Sequence, residues 1–243
     1  HIAYQNQTIY NKLPLDLDAN ALFEKLIVEK EGGMCYETSD LFYNVLIKFG
    51  FSAKRIKAYP LNGKPYNPKA PSSHNIIMVE LNKKMFLIDV GYGNNSIRYP
   101  VDFDFEKTCI KKVFPGETYQ LEVYDNYYQL NIEIKEKFES MYRFDRPIDE
   151  INVEETLENM KKILEFEGMM PIRDLYLKSS ILTKEGKTGF YAEPKNGIKT
   201  AYMFIEKFGK REKRRFETWE DFVSCLKTTL NVDMTKTIQE SQK

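Results

Sequence analysis

Three residues of the sequence combine a thiol, an imidazole and a carboxylate. Cys35, His74 and Asp89 follow one another in that order, and the only other histidine is the terminal His1. Chemistry that needs an internal imidazole must therefore use His74. The order predicts a thiolate nucleophile, the general base that serves it and a carboxylate that orients the base.

The segment around Cys35 suits a nucleophile. Cys35 follows Gly32-Gly33 and stands in the first turn of a predicted helix. The apolar stripe of that helix consists of Phe42, Val45, Leu46 and Phe49. A free thiol, with a pKa of about 8.5, is mostly protonated at neutral pH, whereas helix N-termini and imidazolium ions favour the thiolate. We therefore expect a thiolate–imidazolium pair between Cys35 and His74.

The register of one hairpin decides whether His74 and Asp89 can meet. If Asn82-Lys83 forms a two-residue turn, Ile76 lies opposite Asp89 and His74 becomes its diagonal neighbour on the same face. Diagonal neighbours are roughly 7 to 8 Å apart, within reach of the two side chains. A three-residue turn would place them on opposite faces.

Each of the three residues also has an ordinary interpretation. Half-buried cysteines are common, an aspartate in a strand can accept a turn hydrogen bond, and a single histidine can lie on the surface. Spacing alone favours these ordinary roles. The Gly32-Gly33 pair at the head of the helix makes the catalytic interpretation as strong as the ordinary one.

Composition excludes several classes of protein. The 243 residues contain 36 Lys+Arg and 36 Asp+Glu, so the overall basic charge of a nucleic-acid binder is absent. Apolar runs are far shorter than the ~20 residues that span a bilayer, and no signal-peptide pattern opens the sequence. Three widely spaced cysteines match neither a disulfide framework nor a zinc site. We expect a cytoplasmic protein without metal, nucleic acid or membrane partners.

The pattern of elements predicts an α+β fold. Helices come first, strands follow at 53–59, 75–81, 85–90, 120–123 and 127–135, and a helix follows at 154–166. Short strands at 176–182 and 187–191 precede a last helix that Thr218 caps. We predict no element in residues 1–10 and a fraying tail after Met234. The basic run at 210–215 is interpreted as a solvated turn, with contact to the phosphates of a ligand as the alternative.

Three motifs resemble those of the bacterial-type arylamine N-acetyltransferases. Residues 31–37, Glu-Gly-Gly-Met-Cys-Tyr-Glu, are similar to the family's Arg-Gly-Gly-x-Cys-Phe-Glu. Ser73-His74 resembles its Thr-His, and residues 88–93, Ile-Asp-Val-Gly-Tyr-Gly, resemble its Val-Asp-Val-Gly-Phe-Gly. Weaker matches lie at Tyr4-Gln5-Asn6 for Phe-Glu-Asn, at 142–144 and at 230–232.

The resemblance implies three domains with a papain-like Cys-His-Asp arrangement. A helical bundle at 1–52 would carry Cys35 and lack helical sequence with which the family begins. An antiparallel β-barrel at 53–155 would carry His74 and Asp89, and an α/β lid would occupy 156–243.

The resemblance also implies ping-pong acetyl transfer from acetyl-CoA to an arylamine, arylhydroxylamine or hydrazine, as in xenobiotic metabolism. Cys35 would be S-acetylated, His74 would relay protons and Asp89 would hold the ring. The backbone N–H groups of Cys35 and Ser73 are candidate oxyanion donors. Cofactor-binding candidates for CoA are Ser73, Gly91, Tyr92 and Gly93, and Tyr92 would line the acceptor pocket or serve as a core aromatic.

Two departures from the family pattern keep other functions open. Glu31 replaces the family's arginine and Gln5 its glutamate, so any ion pair between these positions would be lost at both ends. The alternatives are a papain-like or transglutaminase-like cysteine hydrolase, and a non-catalytic relative that binds small aromatics or CoA. The residues flanking Cys35 and Asp89 favour the transferase.

Overall fold

The computed structural model describes residues 2–167 and 171–242, which form two compact units. The first unit comprises the described residues of His1–Thr38, Tyr92–Ser96 and Glu167–Lys243, and the second comprises Ser39–Gly91 and Ile97–Phe166. The three-domain division at 1–52, 53–155 and 156–243 stays a prediction.

The first unit is built on a five-stranded antiparallel sheet with the order β1-β9-β10-β11-β12. Its strands are β1 (Tyr4–Gln5), β9 (Leu177–Thr183), β10 (Gly186–Ala192), β11 (Tyr202–Lys207) and β12 (Lys210–Arg215). Its helices are α1 (Gln7–Tyr10), α2 (Ala19–Phe23), the start of α3 (Cys35–Lys48), α5 (Pro171–Asp174), α6 (Trp219–Leu230) and α7 (Thr235–Ser241). A π-helical turn, Glu24–Val28, extends α2, and 3-10 turns occupy Gly93–Asn95, Pro194–Asn196 and Ile198–Thr200.

The core of the first unit lies between one sheet face and α6. Phe222, Leu226 and Leu230 of α6 are buried with Phe190 of β10. The predicted cap is confirmed, because the Thr218 side chain accepts a hydrogen bond from the Asp221 N–H. The helix therefore begins where its first amides find a side-chain acceptor.

Backbone contacts tie the glycine pair to strand β1. The Gly33 N–H donates to the Ala3 carbonyl at 3.0 Å, and the Gln5 N–H donates to the Gly33 carbonyl at 3.0 Å. A Cβ on Gly32 would lie 2.5 Å from the Ala3 carbonyl oxygen. These glycines therefore allow a backbone approach that a side chain would prevent.

The second unit contains a seven-stranded antiparallel sheet with the order β4-β3-β2-β8-β7-β6-β5. The strands are β2 (Ser52–Pro60), β3 (His74–Leu81), β4 (Lys84–Ile88), β5 (Cys109–Phe114), β6 (Glu117–Val123), β7 (Tyr127–Ile134) and β8 (Lys137–Asp145). Helix α4 (Val153–Glu165) begins with a capping box between Asn152 and Glu155. Among the residues that the structure describes, β4 and β5 are the two edge strands of this sheet. The β-barrel that the resemblance implies stays a prediction.

The part of α3 after Ser39 packs on β2, β3 and β4. Leu46 is buried there with Ala53, Ile77, Val79 and Ile88. The predicted helix is thus confirmed, with Cys35 as its first residue. Of the predicted apolar stripe, Leu46 is buried and Phe42 packs against the same cluster, whereas Val45 and Phe49 are exposed. The spacing therefore identified the helix but only part of its buried face.

A buried ion pair joins α3 to β2 in the same unit. The Arg55 guanidinium lies 2.6 Å from the Asp40 carboxylate, and both side chains are almost fully buried. The Arg55 guanidinium also stacks over the Tyr43 ring at 4.2 Å and donates to the Ile151 carbonyl at 3.3 Å. Burial raises the pKa of Asp40, and the charge of Arg55 opposes that shift.

Several sequence-based expectations were wrong. Residues 1–10 contain β1 and α1, and the tail after Met234 forms α7 with Ile238 buried. Strands β5, β8, β11 and β12 were not predicted. The basic run at 210–215 is β12, an edge strand exposed along its whole length. An edge strand exposed on both faces has no apolar alternation to reveal it, and a two-residue strand is too short to show a period.

Gly32→Ala and Gly50→Ala separate two costs of adding a methyl group. Both glycines have positive φ, +74° and +83°, but nothing lies within 4 Å of a Cβ on Gly50. Gly50→Ala should lower the free energy of unfolding by about 1 to 2 kcal/mol from conformation alone. Gly32→Ala should lose roughly 1 to 3 kcal/mol more, because its methyl group meets the Ala3 carbonyl. Equal losses in urea unfolding would contradict the close approach.

Asp40→Ala should lower the free energy of unfolding by about 3 to 5 kcal/mol, since it leaves the buried Arg55 uncompensated. The double variant Asp40→Leu with Arg55→Met should be much less destabilised, because no charge remains to desolvate. Glu158→Ala is the surface control, since Glu158 and Lys162 form an exposed i, i+4 pair whose loss should leave the free energy of unfolding nearly unchanged. Chemical denaturation measures all three, and a loss below 1 kcal/mol for Asp40→Ala would show that the pair is dispensable.

Candidate active site

Cys35 lies buried at the head of α3, where the Glu37 carboxylate is hydrogen-bonded to the backbone of the first turn. One carboxylate oxygen of Glu37 accepts from the Met34 N–H at 2.9 Å, and the other contacts the Lys25 ammonium at 2.6 Å. The Thr38 hydroxyl donates to the Met34 carbonyl at 3.1 Å. The carboxylate thus satisfies an amide that has no partner inside the helix, and the thiol lies at the positive end of the helix dipole.

The half-buried Tyr4 and the fully buried Tyr36 are electrostatic neighbours of the Cys35 thiol. Burial raises the pKa of Tyr4 well above its usual value, and the charge of Cys35 raises it further. The same two causes, in the same order, raise the pKa of Tyr36. Both phenols are therefore neutral over the physiological pH range and retain O–H groups that can donate hydrogen bonds.

His74 and Asp89 form a buried hydrogen-bonded pair in the second unit. His74 Nε2 lies 3.0 Å from Asp89 Oδ2, and the other carboxylate oxygen accepts from the Gly91 N–H at 3.0 Å. The imidazole also packs on the Tyr142 ring, with centroids 5.3 Å apart. Because a carboxylate only accepts, the neutral ring carries its proton on Nε2, which leaves Nδ1 as the basic nitrogen.

The hairpin prediction that placed this pair is confirmed. Leu81 lies opposite Lys84 and Ile77 opposite Ile88. Both turn residues, Asn82 and Lys83, have positive φ, as the two central positions of a type I′ turn require. The two-residue turn therefore sets the register that brings the imidazole to the carboxylate.

The residues predicted to bind CoA have identifiable positions. Ser73 is buried just before β3, and the Gly91 amide is engaged by Asp89. Tyr92 is half-buried beside the 3-10 turn, and a Cβ on Gly93 would lie 3.2 Å from the Tyr4 ring. The observed contact of Gly91 is thus with the carboxylate, and the CoA contacts of all four stay predictions.

The two departures from the family pattern have different surroundings. Gln5 is buried, donates from Nε2 to the Gly32 carbonyl at 3.4 Å and accepts from the Gln7 N–H at 2.6 Å. Glu31 is exposed. A neutral amide therefore supports the glycine pair next to Cys35, and neither of these two positions places a charge in the interior.

Sequence reasoning did not assign roles to Glu37, Tyr4 or Tyr36. The spacing of Glu37, three residues after Met34, is that of a capping box and could have identified its backbone contact. No local pattern brings Tyr4 to Cys35, because β1 reaches the glycine pair through tertiary pairing. Its proximity had no signal in the sequence.

Neither a metal cluster nor a spanning helix is found in the residues that the structure describes. No group of three or more His, Cys, Asp or Glu side chains in 2–167 and 171–242 is arranged to hold a metal ion. Within the same ranges, no helix has the length and apolarity needed to cross a bilayer.

Comparison with known proteins gives a consistent family. A family model described as N-acetyltransferase matches residues 1–238. The arylamine N-acetyltransferase of Escherichia coli (strain K12) is 27% identical over 145 residues, which cover 59% of this chain and 50% of that protein. The chain thus spans about half the length of the curated relative that it matches.

Solved structures share the fold at low sequence identity. The arylamine N-acetyltransferase from Salmonella typhimurium superposes with a TM-score of 0.81 at 18% identity, covering 99% of this chain and 85% of that one. The Mycobacterium marinum enzyme, solved in complex with CoA, gives 0.80 at 19% identity, with 99% and 86% covered. The chain therefore belongs to the N-acetyltransferase family whose relatives are named arylamine N-acetyltransferases.

Proposed function

We propose that the protein transfers an acetyl group from acetyl-CoA to the nitrogen of an arylamine, arylhydroxylamine or hydrazine through an S-acetyl-Cys35 intermediate. The observation that carries the proposal is the buried His74–Asp89 pair, both of whose carboxylate oxygens are engaged. The helix-head position of Cys35 and the family match support the assignment of the nucleophile.

In the first half-reaction, Cys35 attacks the acetyl carbonyl carbon of the thioester. The carbonyl electrons move to oxygen, return as the C–S bond to CoA breaks, and leave the acetyl group on Cys35. His74, acting as base and then acid, takes the thiol proton and gives it to the departing CoA thiolate. Backbone N–H groups of Cys35 and Ser73 are the proposed donors to the transient oxyanion.

In the second half-reaction, the amine nitrogen attacks the acetyl-cysteine carbonyl. The C–N bond forms, the C–S bond to Cys35 breaks, and His74 transfers the proton lost by nitrogen to the cysteine sulfur. Asp89 keeps the imidazole in one tautomer and stabilises its cationic form, so the same side chain serves both halves.

The finer family features are part of the same proposal. They are the papain-like use of Cys35, His74 and Asp89, the barrel and lid domains, and contacts of Ser73, Gly91, Tyr92 and Gly93 with CoA. Their support is the motif resemblance together with CoA in the Mycobacterium marinum relative. A function in xenobiotic metabolism rests on the resemblance alone, whereas a cytoplasmic location rests on the patterning of the sequence.

Intact-protein mass spectrometry tests the intermediate. Incubation with acetyl-CoA and no acceptor should add one acetyl group, which peptide mapping assigns to Cys35 and which an arylamine removes. Cys35→Ala should form no adduct and lose turnover, while Cys109→Ala and Cys225→Ala, which alter the other two cysteines, should behave like the wild type. An acetyl adduct on a residue other than Cys35 would contradict the proposed intermediate. The same conclusion would follow if Cys35 reacted with a thiol reagent but was not acetylated by acetyl-CoA.

Asp89→Asn should reduce kcat/KM on the order of 10³- to 10⁴-fold, because an amide can donate to His74 Nε2 and favour the wrong tautomer. Asp89→Glu should recover part of that loss, since it retains an acceptor with negative charge. Asp145→Asn is the control, because that carboxylate is half-exposed and lies at the end of β8. Steady-state kinetics with thermal unfolding distinguishes positioning from folding, and a near-normal rate for folded Asp89→Asn would make Asp89 purely structural.

A further inference from the structure

Strand β12 forms an open edge of the five-stranded sheet in the first unit. It is the last strand in the sheet order and pairs with β11, from Arg215 opposite Tyr202 to Lys210 opposite Lys207. Within the described ranges, no backbone hydrogen bond outside the β11 ladder involves residues 210–215. The outward N–H and C=O groups of β12 can therefore pair with a further strand.

Most of the cations on β12 have no carboxylate partner. Five of its six residues are cationic, and all six are exposed. Arg211 contacts the Glu206 carboxylate at 2.7 Å. In residues 2–167 and 171–242, no carboxylate forms an ion pair with the other four, which are Lys210, Lys213, Arg214 and Arg215. The strand therefore presents a large positive charge to solvent, which Glu212 and Glu206 offset only in part.

Protection of the edge against aggregation does not account for so many charges. A few charged side chains, lysines above all, are the usual device against edge-to-edge pairing. The two edge strands of the second unit follow that pattern, since β4 carries Lys84 and β5 carries Lys111 and Lys112. The five cations of β12 exceed this pattern and indicate attraction of an anionic partner.

The cations of β12 lie on both faces of the sheet. Arg214 lies opposite Met203, which packs against the core cluster of α6. Lys213 lies opposite Phe204 on the other face, with its ammonium 3.5 Å from the Tyr202 ring centroid. A membrane surface or a nucleic-acid backbone would meet the cations of one face. An added strand alternates its own side chains, so it meets the cations of both faces.

The edge strands of a second copy of the chain are poor partners for β12. Pairing of β12 with the β12 strand of another copy would place cations directly opposite cations, which is destabilising. The charged residues of β4 and β5 are also cations, so these strands would be repelled in the same way. The charges of β12 therefore favour an acidic strand from a different protein.

We propose that β12 binds an extended acidic segment of a partner protein, which adds to the five-stranded sheet as a further strand. Main-chain hydrogen bonds along the edge supply the pairing, and carboxylates opposite the cations supply the preference for acidic sequences. Phe208, an exposed aromatic side chain between β11 and β12, provides an apolar contact at one end. The interaction is independent of the acetyl transfer proposed above.

Fluorescence anisotropy with synthetic peptides tests strand addition. An acidic octapeptide of glutamate, threonine and valine, with glutamates on both faces, should bind the full chain. Two further versions, each N-methylated at one of the two alternate sets of amides, keep the charge. At least one of them should bind about tenfold more weakly or worse, because the N–H groups that face β12 are removed. If both versions bind as tightly as the parent peptide, or if the parent does not bind, strand addition is overturned.

Charge reversal on two edge strands provides a matched comparison. Lys210→Glu with Lys213→Glu reverses one cation on each face of β12 and should weaken binding of the octapeptide about tenfold or more. Lys111→Glu with Lys112→Glu makes the same change of charge on β5 and should leave the affinity unchanged. Urea unfolding verifies that both double variants are folded. Equal weakening by the two would show general charge attraction and overturn the docking surface.

Amide hydrogen exchange locates the bound peptide without a variant. Exchange of residues 208–216 should slow when the octapeptide is added, because outward amides of β12 become hydrogen-bonded. A single-stranded oligonucleotide of equal charge is the comparison and should leave this exchange unchanged. If the oligonucleotide slows it as much as the peptide does, β12 is a general polyanion surface and the peptide site is overturned.

Discussion

Strand β1 makes backbone contacts with two different partners, and the environment of Cys35 depends on both. Tyr4 and Gln5 pair with Ser180 and Ser179 of β9, and Tyr4 also forms a bridge with Gly33. The sheet is thereby joined to the glycine pair two residues before the head of α3. A Cβ at Gly32 would come within 2.5 Å of the Ala3 carbonyl oxygen, a backbone atom, so this close approach requires a residue without a side chain. Close backbone approach is the constraint from which the position of the thiol in its unit follows.

The second unit satisfies a comparable constraint with a buried carboxylate. An ionised aspartate is stable in an apolar interior only when its oxygens are hydrogen-bonded. Asp89 meets this requirement with one bond to an imidazole and one to the backbone amide of Gly91. The orientation of His74 is therefore set by strand register and a main-chain amide, neither of which has the freedom of a long side chain. Such preorganisation is what a repeated proton transfer needs.

One face of the five-stranded sheet in the first unit carries cations that differ in whether a carboxylate pairs with them. Lys187 and Arg211 both contact the Glu206 carboxylate. The Lys178 ammonium lies over the Tyr4 ring, and among the residues that the structure describes no carboxylate pairs with it. Lys178 is half-buried, whereas lysine side chains are mostly exposed in proteins unless they are paired. The same face also carries the exposed basic strand β12, so the local positive charge exceeds what the neutral overall composition indicates. Overall net charge therefore hides a local excess of positive charge.

Much of the local structure around the candidate site was predictable from the sequence. Amphipathic spacing identified α3 with Cys35 in its first turn, and one of the two turn lengths that the sequence left open is the hairpin that brings His74 to Asp89. The Thr218 cap was found for the same reason. These features depend on residues a few positions apart, so apolar periodicity and capping side chains indicate them directly in the sequence.

The order of the strands was decided by the tertiary structure alone. β1 lies beside β9 although most of the chain separates them, and β12 is an edge strand without an apolar pattern. Tyr4 consequently adjoins Cys35, and Lys178 adjoins three tyrosines from other segments. The sequence by itself determined the residue types and the helix heads, and it left the hairpin register open between two turn lengths. Only the tertiary structure decided which distant residues meet, because such pairings depend on the collective burial of the core and on loop closure, and neither has a local signature.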